Sequence, residues 1–378
     1  MSYTLSSAMS LYFDHNATTP IDERVLAVML PFLNTFYGNP SSLYKHGRLV
    51  RSAIDSAREQ VAALVAVNAA QVIFTSGGTE ANNLALASLE PRAGLAISAI
   101  EHPSITQAAQ HLQTLGHELH IVGVDTQGVI TQNAIETVIA QKPQLVALML
   151  ANNETGAIQP IAHYAKQLKA CGISLHTDAV QAVGKMPVNF NDLGVQSLSF
   201  SSHKLYGPKG AGALIISSDA TIKPLLWGGG QERGYRGGTE NVAAIIGFGK
   251  AAELALTELT QRSDYLLALK LLLEQRLQQI PQITIFAQEA ERLPNTVQFG
   301  IAGIDGEMLL MQLDTKGVAV SSGSACSSGG SEPSPVLIAM GIDERQAKTA
   351  IRVSLGMSNT MADIEKLIAL LIKLINKS

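Results

Sequence analysis

The sequence contains little cysteine and little charge. Only two of its 378 residues are cysteines, Cys171 and Cys326, which excludes a disulfide framework and indicates a reducing compartment. Charged residues make up 15% of the chain and hydrophobic residues 46%. This balance excludes an intrinsically disordered chain and is typical of an α/β protein with a large buried core.

Long apolar runs and runs of basic residues are also missing. No apolar run approaches the length of a membrane span, and residues 1–10 lack the basic residues and the apolar core of a signal peptide. The net charge of −4, without a lysine- or arginine-rich run, disfavours direct binding to nucleic acid or to a membrane surface. We therefore expect a cytoplasmic protein that contacts neither nucleic acid nor a membrane directly.

Short apolar runs alternate with helical patterns through much of the chain. Candidate strands cover residues 71–75, 94–100, 145–151, 173–177 and 197–201, and candidate helices cover residues 79–89, 103–115 and 160–171. Two helices are expected within residues 22–66. In the second of them, apolar residues recur at helical spacing at Val50, Ile54, Ala57, Val61 and Val65. The alternation predicts a mostly parallel sheet flanked by helices.

The pattern changes after the glycines at 228–230. One long helical stretch is expected over residues 240–280, followed by strands at 283–287, 296–300, 318–322 and 350–355 and by helices at 305–316 and 361–376. A chain of 378 residues exceeds one ordinary domain. We therefore predict a large α/β domain over residues 15–258 and a smaller α/β domain formed by residues 1–14 and 259–378.

Two segments far apart in the sequence carry the most informative residues. Lys204 closes an apolar run in Ser-Ser-His-Lys-Leu-Tyr-Gly-Pro-Lys-Gly, and a lysine held at a strand end can form a Schiff base with a carbonyl cofactor. Cys326 lies in Ser-Ser-Gly-Ser-Ala-Cys, at a glycine- and serine-rich loop over residues 324–332 that we expect to be mobile. A thiol there can reach a substrate and accept an atom from it. Lys204 alone would be read as a surface lysine, but the neighbouring motifs favour the cofactor role.

A second motif, Thr-Ser-Gly-Gly-Thr-Glu at 75–80, lies between a predicted strand and a helix. Backbone N–H groups at Gly78 and the hydroxyl of Thr79 can close around an anion such as a cofactor phosphate. An ordinary strand–helix turn is the alternative for this segment. Ser201 and His203, just before Lys204, are further candidate phosphate donors.

Asp178 and Gln181 lie at the end of another buried run. They can contact the ring of the carbonyl cofactor if that ring is a pyridine. A carboxylate at the pyridine nitrogen keeps the ring protonated and electron-withdrawing, although an Asp at this position can also cap a helix. His102, in Glu-His-Pro-Ser, is a candidate for ring stacking and proton transfer. A solvated loop histidine is its alternative.

Arg352 is a lone charge inside an apolar strand, and Asn153 follows a strongly apolar strand. A guanidinium matches the α-carboxylate of an amino acid, whereas a structural ion pair is the alternative for Arg352. Cys171 closes an amphipathic helix, and we interpret it as a packing residue. The histidines His111, His117 and His120 lack the pattern of a metal site and are interpreted as surface residues.

With these residues in place, the chain resembles the NifS/IscS-like cysteine desulfurases, which are pyridoxal-phosphate enzymes of fold type I. The resemblance runs from Tyr-Phe-Asp-His-Asn-Ala-Thr-Thr-Pro at 12–20 to Arg-Val-Ser-Leu-Gly at 352–356, nearly the whole chain. The segments that contain Lys204 and Cys326 are highly specific when they occur together.

The resemblance implies pyridoxal 5'-phosphate as the cofactor and assigns its contacts. Lys204 would bind the cofactor covalently, His102 would stack on its ring, and Asp178 and Gln181 would contact the pyridine nitrogen and the phenolic oxygen. The implied phosphate contacts within one subunit are Gly78, Thr79, Ser201 and His203. Thr239 would reach the phosphate of the neighbouring subunit, so a homodimer is implied.

The resemblance also implies the substrate and the reaction. Asn153 and Arg352, with Asn16 nearby, would bind the carboxylate of L-cysteine, which is converted to L-alanine. Cys326 would receive the sulfur as a persulfide and pass it to an acceptor protein, either an iron–sulfur scaffold or a thiolation enzyme.

Two features depart from the family pattern. Tyr44 stands where many relatives carry histidine, and the chain ends at Ser378 without the long C-terminal tail with which housekeeping IscS proteins dock the iron–sulfur scaffold. A role in nitrogenase assembly or in sulfur modification of tRNA or DNA is therefore an open alternative. The rival functions are another reaction on the same fold, such as aminotransfer or selenocysteine lysis, and a sulfur carrier without a cofactor.

Overall fold

The computed structural model describes residues 11–322 and 332–376. Its strands are β1 (Leu11–Tyr12), β2 (Val72–Thr75), β3 (Leu95–Ser98), β4 (Leu119–Val122), β5 (Leu145–Ala147), β6 (Ser174–Asp178), β7 (Ser197–Ser201), β8 (Gly212–Ile216), β9 (Ile283–Ile285), β10 (Thr296–Ile301), β11 (Val318–Ala319), β12 (Ser321–Ser322) and β13 (Ala350–Ser354). Its α-helices are α1 (Glu23–Asn34), α2 (Lys45–Leu64), α3 (Gly78–Leu86), α4 (Pro103–Thr114), α5 (Gln132–Gln141), α6 (Ile161–Ala170), α7 (Phe190–Leu193), α8 (Val242–Thr257), α9 (Leu259–Leu277), α10 (Gly306–Asp314), α11 (Pro335–Ala339), α12 (Glu344–Ala347) and α13 (Met361–Ile375).

A seven-stranded sheet organises the first part of the described chain, with the strand order β2-β8-β7-β6-β5-β3-β4. The strands β7, β6, β5, β3 and β4 are parallel to one another. In contrast, β8 is antiparallel to both of its neighbours, β2 and β7. The inner strands β5, β7 and β8 are buried throughout, as expected for a sheet covered on both faces. The prediction of a mostly parallel sheet flanked by helices is confirmed.

The predicted apolar face of the helix at 45–64 is confirmed. Val50, Ile54, Ala57 and Val61 are buried in α2, and α2 packs against α8. They belong to the large hydrophobic core around the seven-stranded sheet.

The prediction of one long helix over 240–280 is wrong. Glu258 has non-helical backbone angles (φ −105°, ψ 6°) and separates α8 from α9. Its carboxylate accepts hydrogen bonds from Arg24 and from Arg262, with the Arg262 Nη2 to Glu258 Oε2 distance at 2.7 Å. The break therefore coincides with a contact between α1, α8 and α9 that no glycine or proline marks in the sequence.

A smaller antiparallel sheet, in the order β12-β13-β10-β9, carries the second core. Phe13, near the start of the described chain, packs into this second core, and β1 pairs with β11 in parallel. The predicted strand at 318–322 is two short strands in different sheets, β11 and β12. The predicted domain boundaries stay a prediction.

Within residues 11–322 and 332–376, no helix combines the length and apolar character needed to cross a membrane.

Candidate active site

A cavity of about 400 Å³ lies where the parallel strands of the large sheet end. Loops after the carboxyl ends of β3, β5, β6 and β7 meet there, which is the usual ligand position in such sheets. The cavity is lined by the predicted residues Asn16, Gly78, Thr79, His102, Asn153, Asp178, Gln181, Ser201, His203, Lys204 and Arg352. It is also lined by residues that the sequence did not single out, including Asp14, Asn82 and Ser104.

One predicted site residue, Thr239, lies elsewhere, and another, Cys326, is not among the described residues. Thr239 lines a separate pocket of about 150 Å³, together with Thr75 and Ser76 of the Gly-Gly-Thr segment. Its contact with a neighbouring subunit stays a prediction. Cys326 lies outside the described residues, as does nearly all of the predicted mobile loop at 324–332.

Lys204 lies in a short 3-10 turn directly after β7. Its Nζ donates to the carbonyl oxygen of Ala17 at 2.7 Å and also to that of Asn16. The segment around Ala17 is held in turn by Thr19, whose hydroxyl donates to the carbonyl of His203 at 2.8 Å. The amine is therefore fixed inside the cavity by backbone acceptors, and Lys204 is not a surface lysine.

The phosphate-binding prediction concerns the start of α3, where Gly78 is the first helical residue. A Cβ at Gly78 would lie 2.8 Å from Val180 Cγ2, so only glycine fits without a shift. The Oγ of Ser201 is buried and has no hydrogen-bond partner among the described residues. A buried hydroxyl without a partner near a helix N-terminus suits an anion such as a phosphate group.

His203 lies on the same side of the cavity. Burial, with a smaller effect from Lys204 and Lys209, lowers the pKa of His203 to about 4. The ring is therefore neutral near pH 7 and carries one N–H, which can serve as a donor to an anion.

Asp178 is the last residue of β6 and lines the same cavity. Its Oδ1 accepts from the backbone N–H of Val180 at 2.9 Å, and its Oδ2 accepts from Asn82 Nδ2 at 2.7 Å. No described helix begins at Asp178. The carboxylate therefore caps only the short turn at Val180 and not a helix. The carboxylate is oriented by two donors.

His102 is the N-cap of α4 and accepts from the backbone N–H of Ser104 through Nδ1 at 3.1 Å. Its side chain lines the cavity. Burial is the main cause that lowers the pKa of His102, and Lys204 acts in the same direction while Asp178 opposes it. The alternative of a solvated loop histidine is therefore wrong.

Arg352, in β13, forms an ion pair and keeps one donor without a partner. Its Nη2 lies 2.6 Å from Asp14 Oδ1, and its Nη1 donates to the carbonyl of Asn153 at 3.1 Å. The Nε of Arg352 is buried and has no partner among the described residues. The predicted ion-pair alternative is thus real, but it does not use the whole guanidinium.

Asn16 is bonded through both ends of its side-chain amide. Its Nδ2 donates to Thr296 Oγ1 at 2.9 Å, and its Oδ1 accepts from Lys185 Nζ at 2.9 Å and from Asn295 Nδ2 at 3.0 Å. Its carbonyl also accepts from Gln181 Nε2 at 3.0 Å. Asn16 joins β10 of the small sheet to the segment that follows β6 of the large one. Its direct contact with substrate stays a prediction.

Lys185 is a site residue that sequence reasoning missed. It is buried, and its Nζ donates to Gln181 Oε1 at 2.7 Å as well as to Asn16 Oδ1. Burial, with the charges of Lys204 and Arg352, lowers the pKa of Lys185 well below its usual range. Its local sequence, after Gly184, carries no sign that distinguishes it from a surface lysine.

Cys171 was interpreted as a packing residue, and this is wrong. It lies exposed at the C-terminal cap of α6. The helix ends at Ala170, two residues before Gly172. Gly172 has a positive φ of 72°, and this turn leaves the thiol outside the core.

Comparison with known proteins identifies the family. The family model for class-V aminotransferases matches residues 11–367. The chain belongs to this family. A cysteine desulfurase IscS from Dictyoglomus turgidum is 40% identical to it over 97% of this chain and 95% of that protein.

Solved structures of similar proteins place this class-V aminotransferase chain among the NifS/IscS-like enzymes. A NifS-like protein from Rickettsia africae has a TM-score of 0.90 and 35% identity, covering 97% of this chain and 99% of that one. SspA, solved in complex with cysteine, has a TM-score of 0.80 and 28% identity over 93% of this chain and all of that one. The predicted family, fold type and enzyme class are confirmed.

Proposed function

We propose that this enzyme is a pyridoxal-phosphate-dependent cysteine desulfurase that converts L-cysteine to L-alanine and stores the sulfur on Cys326 as a persulfide. The observation that carries the proposal is the meeting of Lys204, Asp178 and Arg352 in one cavity. An amine, a carboxylate and a guanidinium serve there for covalent attachment, ring protonation and carboxylate binding.

The cavity fits the cofactor at both ends. The phosphate would be held by Ser201, His203, Thr79 and the N-terminus of α3, and the pyridine nitrogen would face Asp178. When bound, pyridoxal phosphate supplies a carbonyl carbon for the substrate amine and a ring that withdraws electrons from Cα.

The side chains perform the remaining steps. Arg352 binds the α-carboxylate, which orients the substrate with its Cα–H toward Lys204, and Lys204 Nζ removes the Cα proton. The Cys326 thiolate attacks the substrate sulfur, so that an S–S bond forms as the Cβ–S bond breaks. A proton delivered to Cβ and the return of a proton to Cα from Lys204 complete alanine, and Cys326 carries the added sulfur atom as a persulfide.

A homodimer is part of the proposal, and exposed apolar side chains support it. Leu43 and Trp227 are 88% and 84% exposed, and Tyr37 and Tyr44 are exposed as well. Arg51 links the segment around Leu43 to the segment of Thr239. It donates to Pro40 O at 3.4 Å, and it pairs with Glu240, the residue after Thr239, at 2.8 Å. Apolar surface of this kind, close to the threonine that is predicted to reach the neighbouring subunit, is suited to burial against a second copy of the chain.

The proposed partner after turnover is a sulfur-acceptor protein, either an iron–sulfur scaffold or a thiolation enzyme. The proposed location is the cytoplasm, where a reducing environment preserves thiols.

The test compares three variants of the cofactor-loaded protein. Lys204→Ala should lose the visible absorption band that borohydride removes from wild type, and it should lose alanine production. Cys326→Ser should keep the absorption band but form no persulfide and almost no alanine. Cys171→Ser is the matched control and should retain most activity. Alanine production by Lys204→Ala at the wild-type rate, or a trapped persulfide on Cys171 instead of Cys326, would contradict the proposal.

A further inference from the structure

Asn82, on α3, is a buried amide that contacts one candidate cofactor residue, Asp178, directly and a second, His102, through Ser104. Its Nδ2 donates to Asp178 Oδ2 at 2.7 Å and to Ser104 Oγ at 2.8 Å. Its Oδ1 accepts from the Ser199 hydroxyl and contacts His176 Nε2 at 3.0 Å. The hydrogen-bonding capacity of the amide is therefore fully used, since it has two N–H donors and two acceptor sites.

The orientation of this amide is fixed by the carboxylate. If the amide were turned by 180°, its oxygen would face Asp178 Oδ2, and two acceptors would meet at hydrogen-bond distance. A buried contact of that kind is strongly unfavourable. Nδ2 must therefore face Asp178 and Ser104.

The same orientation defines the proton on His176. Because Asn82 Oδ1 can only accept, His176 carries its proton on Nε2, and Nδ1 accepts from the Ser197 hydroxyl at 2.9 Å. Burial lowers the pKa of His176 to about 3, so the ring is neutral. His176 supports Asn82 from the side away from Asp178.

Ser104 carries the effect of Asn82 to His102. Ser104 Oγ accepts from Asn82 and lies 2.8 Å from His102 Nδ1, and the backbone N–H of Ser104 donates to the same nitrogen at 3.1 Å. Because Nδ1 accepts from the backbone, the proton of neutral His102 is on Nε2, and the Ser104 hydroxyl is the second donor to Nδ1.

We propose that Asn82 is a positioning residue that fixes two groups of the active site together: it orients the Asp178 carboxylate as an acceptor, and it confines His102 to the tautomer with the proton on Nε2. His102 then offers a hydrogen-bond donor at Nε2, while its Nδ1 is occupied and cannot act as a base. The roles of Asp178 and His102 toward the cofactor rest on the proposed function, but the hydrogen-bond network does not.

The test measures the tautomer of His102 directly in the full chain without cofactor. Nitrogen-15 labelling of histidine and long-range proton–nitrogen spectra distinguish the two tautomers. Wild type should show the Nε2–H tautomer alone. Asn82→Ala should show a mixture, because only the backbone N–H of Ser104 then remains fixed at Nδ1. Ser104→Ala should show the same mixture, and it supplies the result if Asn82→Ala fails to fold.

Ser197→Ala is the matched control, because it alters His176 but keeps the bonds from Asn82 to Asp178 and Ser104. Its His102 spectrum should equal that of wild type. A pure Nε2–H tautomer in both Asn82→Ala and Ser104→Ala would overturn the assignment to His102.

A second measurement tests the part of the proposal that concerns Asp178. Titration with pyridoxal phosphate should give an affinity about fivefold weaker for Asn82→Ala than for Ser197→Ala, because the carboxylate loses a charged hydrogen bond that orients it. Equal affinities would overturn that part. A wild-type protein that binds no cofactor would instead contradict the proposed function, and the tautomer result would stand independently.

Discussion

Single residues in and around the cavity have charge states that burial controls. Burial raises the pKa of Glu101, the residue before His102, to about 8, and that of Glu154, the residue after Asn153, to about 7. Glu101 Oε1 accepts from Ser98 Oγ at 2.6 Å. Carboxyl groups that hold their protons up to about neutral pH thus adjoin the loops that carry the candidate catalytic groups, and the fold is sensitive to pH at those positions.

As the pH rises, the Glu101→Gln variant should lose less of its free energy of unfolding than wild type does. The folded state holds the Glu101 proton more tightly than the unfolded state, so its stabilising contribution is complete below about pH 4.5 and is lost as the pH rises through about 8. Relative to wild type, the Gln variant should gain on the order of 1 kcal/mol or more between pH 5 and pH 9. Urea unfolding at several pH values measures this difference.

The control for this change is Glu59→Gln, on the exposed surface of α2. Its free energy of unfolding should follow that of wild type across the same pH range. If Glu101→Gln also follows wild type at every pH, Glu101 is ionised throughout and the assignment of its charge state is wrong.

Arg352→Lys should raise the KM for cysteine about tenfold or more and leave the spectrum of the bound cofactor unchanged. An ammonium group can retain the contact with Asp14, but it cannot also present a planar pair of donors to a carboxylate. Steady-state kinetics and an absorption spectrum measure the two properties separately. Loss of the cofactor in this variant would show that Arg352 serves the ion pair alone.

Two of the residues that sequence reasoning placed correctly in the cavity, Lys204 and Asp178, lie at strand ends. Lys204 and Asp178 could be predicted because a polar group directly after a buried apolar run marks the ligand edge of a parallel sheet. Lys185 and Asn82 could not be predicted in this way. Their function depends on hydrogen-bond partners from distant segments, such as Asn16 for Lys185 and Asp178 for Asn82.

At the scale of elements, the segment that leads to Thr239 has a strained backbone held by a buried ion pair. Glu232 and Arg233 both have left-handed backbone angles, with φ of 45° and 57°, which is costly for residues other than glycine. Glu232 accepts from Arg58 in a bidentate pair at 2.6 and 2.7 Å and from the backbone N–H of Phe74 at 2.9 Å. The ion pair fixes the segment against β2.

Glu232→Gln should destabilise the protein by about 3–5 kcal/mol, because it leaves the buried Arg58 guanidinium without its counter-charge. Cofactor occupancy should also fall, since Thr239 follows in the same segment. Thermal unfolding and the absorbance of bound cofactor measure both effects. In the exposed pair of Glu90 with Lys223, Glu90→Gln should change stability by no more than about 0.5 kcal/mol, and an equally small effect at Glu232 would contradict the prediction.

The sequence patterns of β4, α5 and β8 are too weak to predict these elements. β4 and α5 lie at the open edge of the large sheet, and β4 is only partly buried, with Ile121 59% exposed. Such a strand shows neither a clear alternation of apolar and polar residues nor a continuous apolar run. β8 was missed because its five residues, Gly212–Ile216, follow a run of glycine and proline that predicts a loop.

At the scale of the whole molecule, the cavity unites residues from both sheets. Arg352 comes from β13 of the small sheet, whereas Asp178 and Lys204 follow strands of the large one. Thr239 lines a different pocket, so a single subunit leaves it separate from the other proposed phosphate contacts. The proposed homodimer, in which a second subunit completes the site, would account for this separation.

Subunit mixing tests whether Thr239 acts across an interface. A heterodimer of Lys204→Ala with Thr239→Val contains one intact site, because the Lys204 of one chain receives the Thr239 of the other. A heterodimer of wild type with the Lys204→Ala/Thr239→Val double variant contains none. At limiting cofactor, the first should approach half of wild-type activity and exceed the second several-fold, as measured by alanine production. The reverse order would place Thr239 in the site of its own subunit.

The contacts of Arg58, Glu232 and Arg233 with β2 have a further consequence, for aggregation. β2 is the last strand on its side of the sheet, and its outward N–H at Phe74 and C=O at Val72 are bonded to these side chains, with Val72 O accepting from Arg58 at 2.9 Å and from Arg233 at 2.7 Å. An edge strand with unpaired backbone groups is a template for strand addition by another chain. Here the same charged side chains that fix the segment leading to Thr239 also cover that template. This edge of the folded protein therefore resists fibril-like growth.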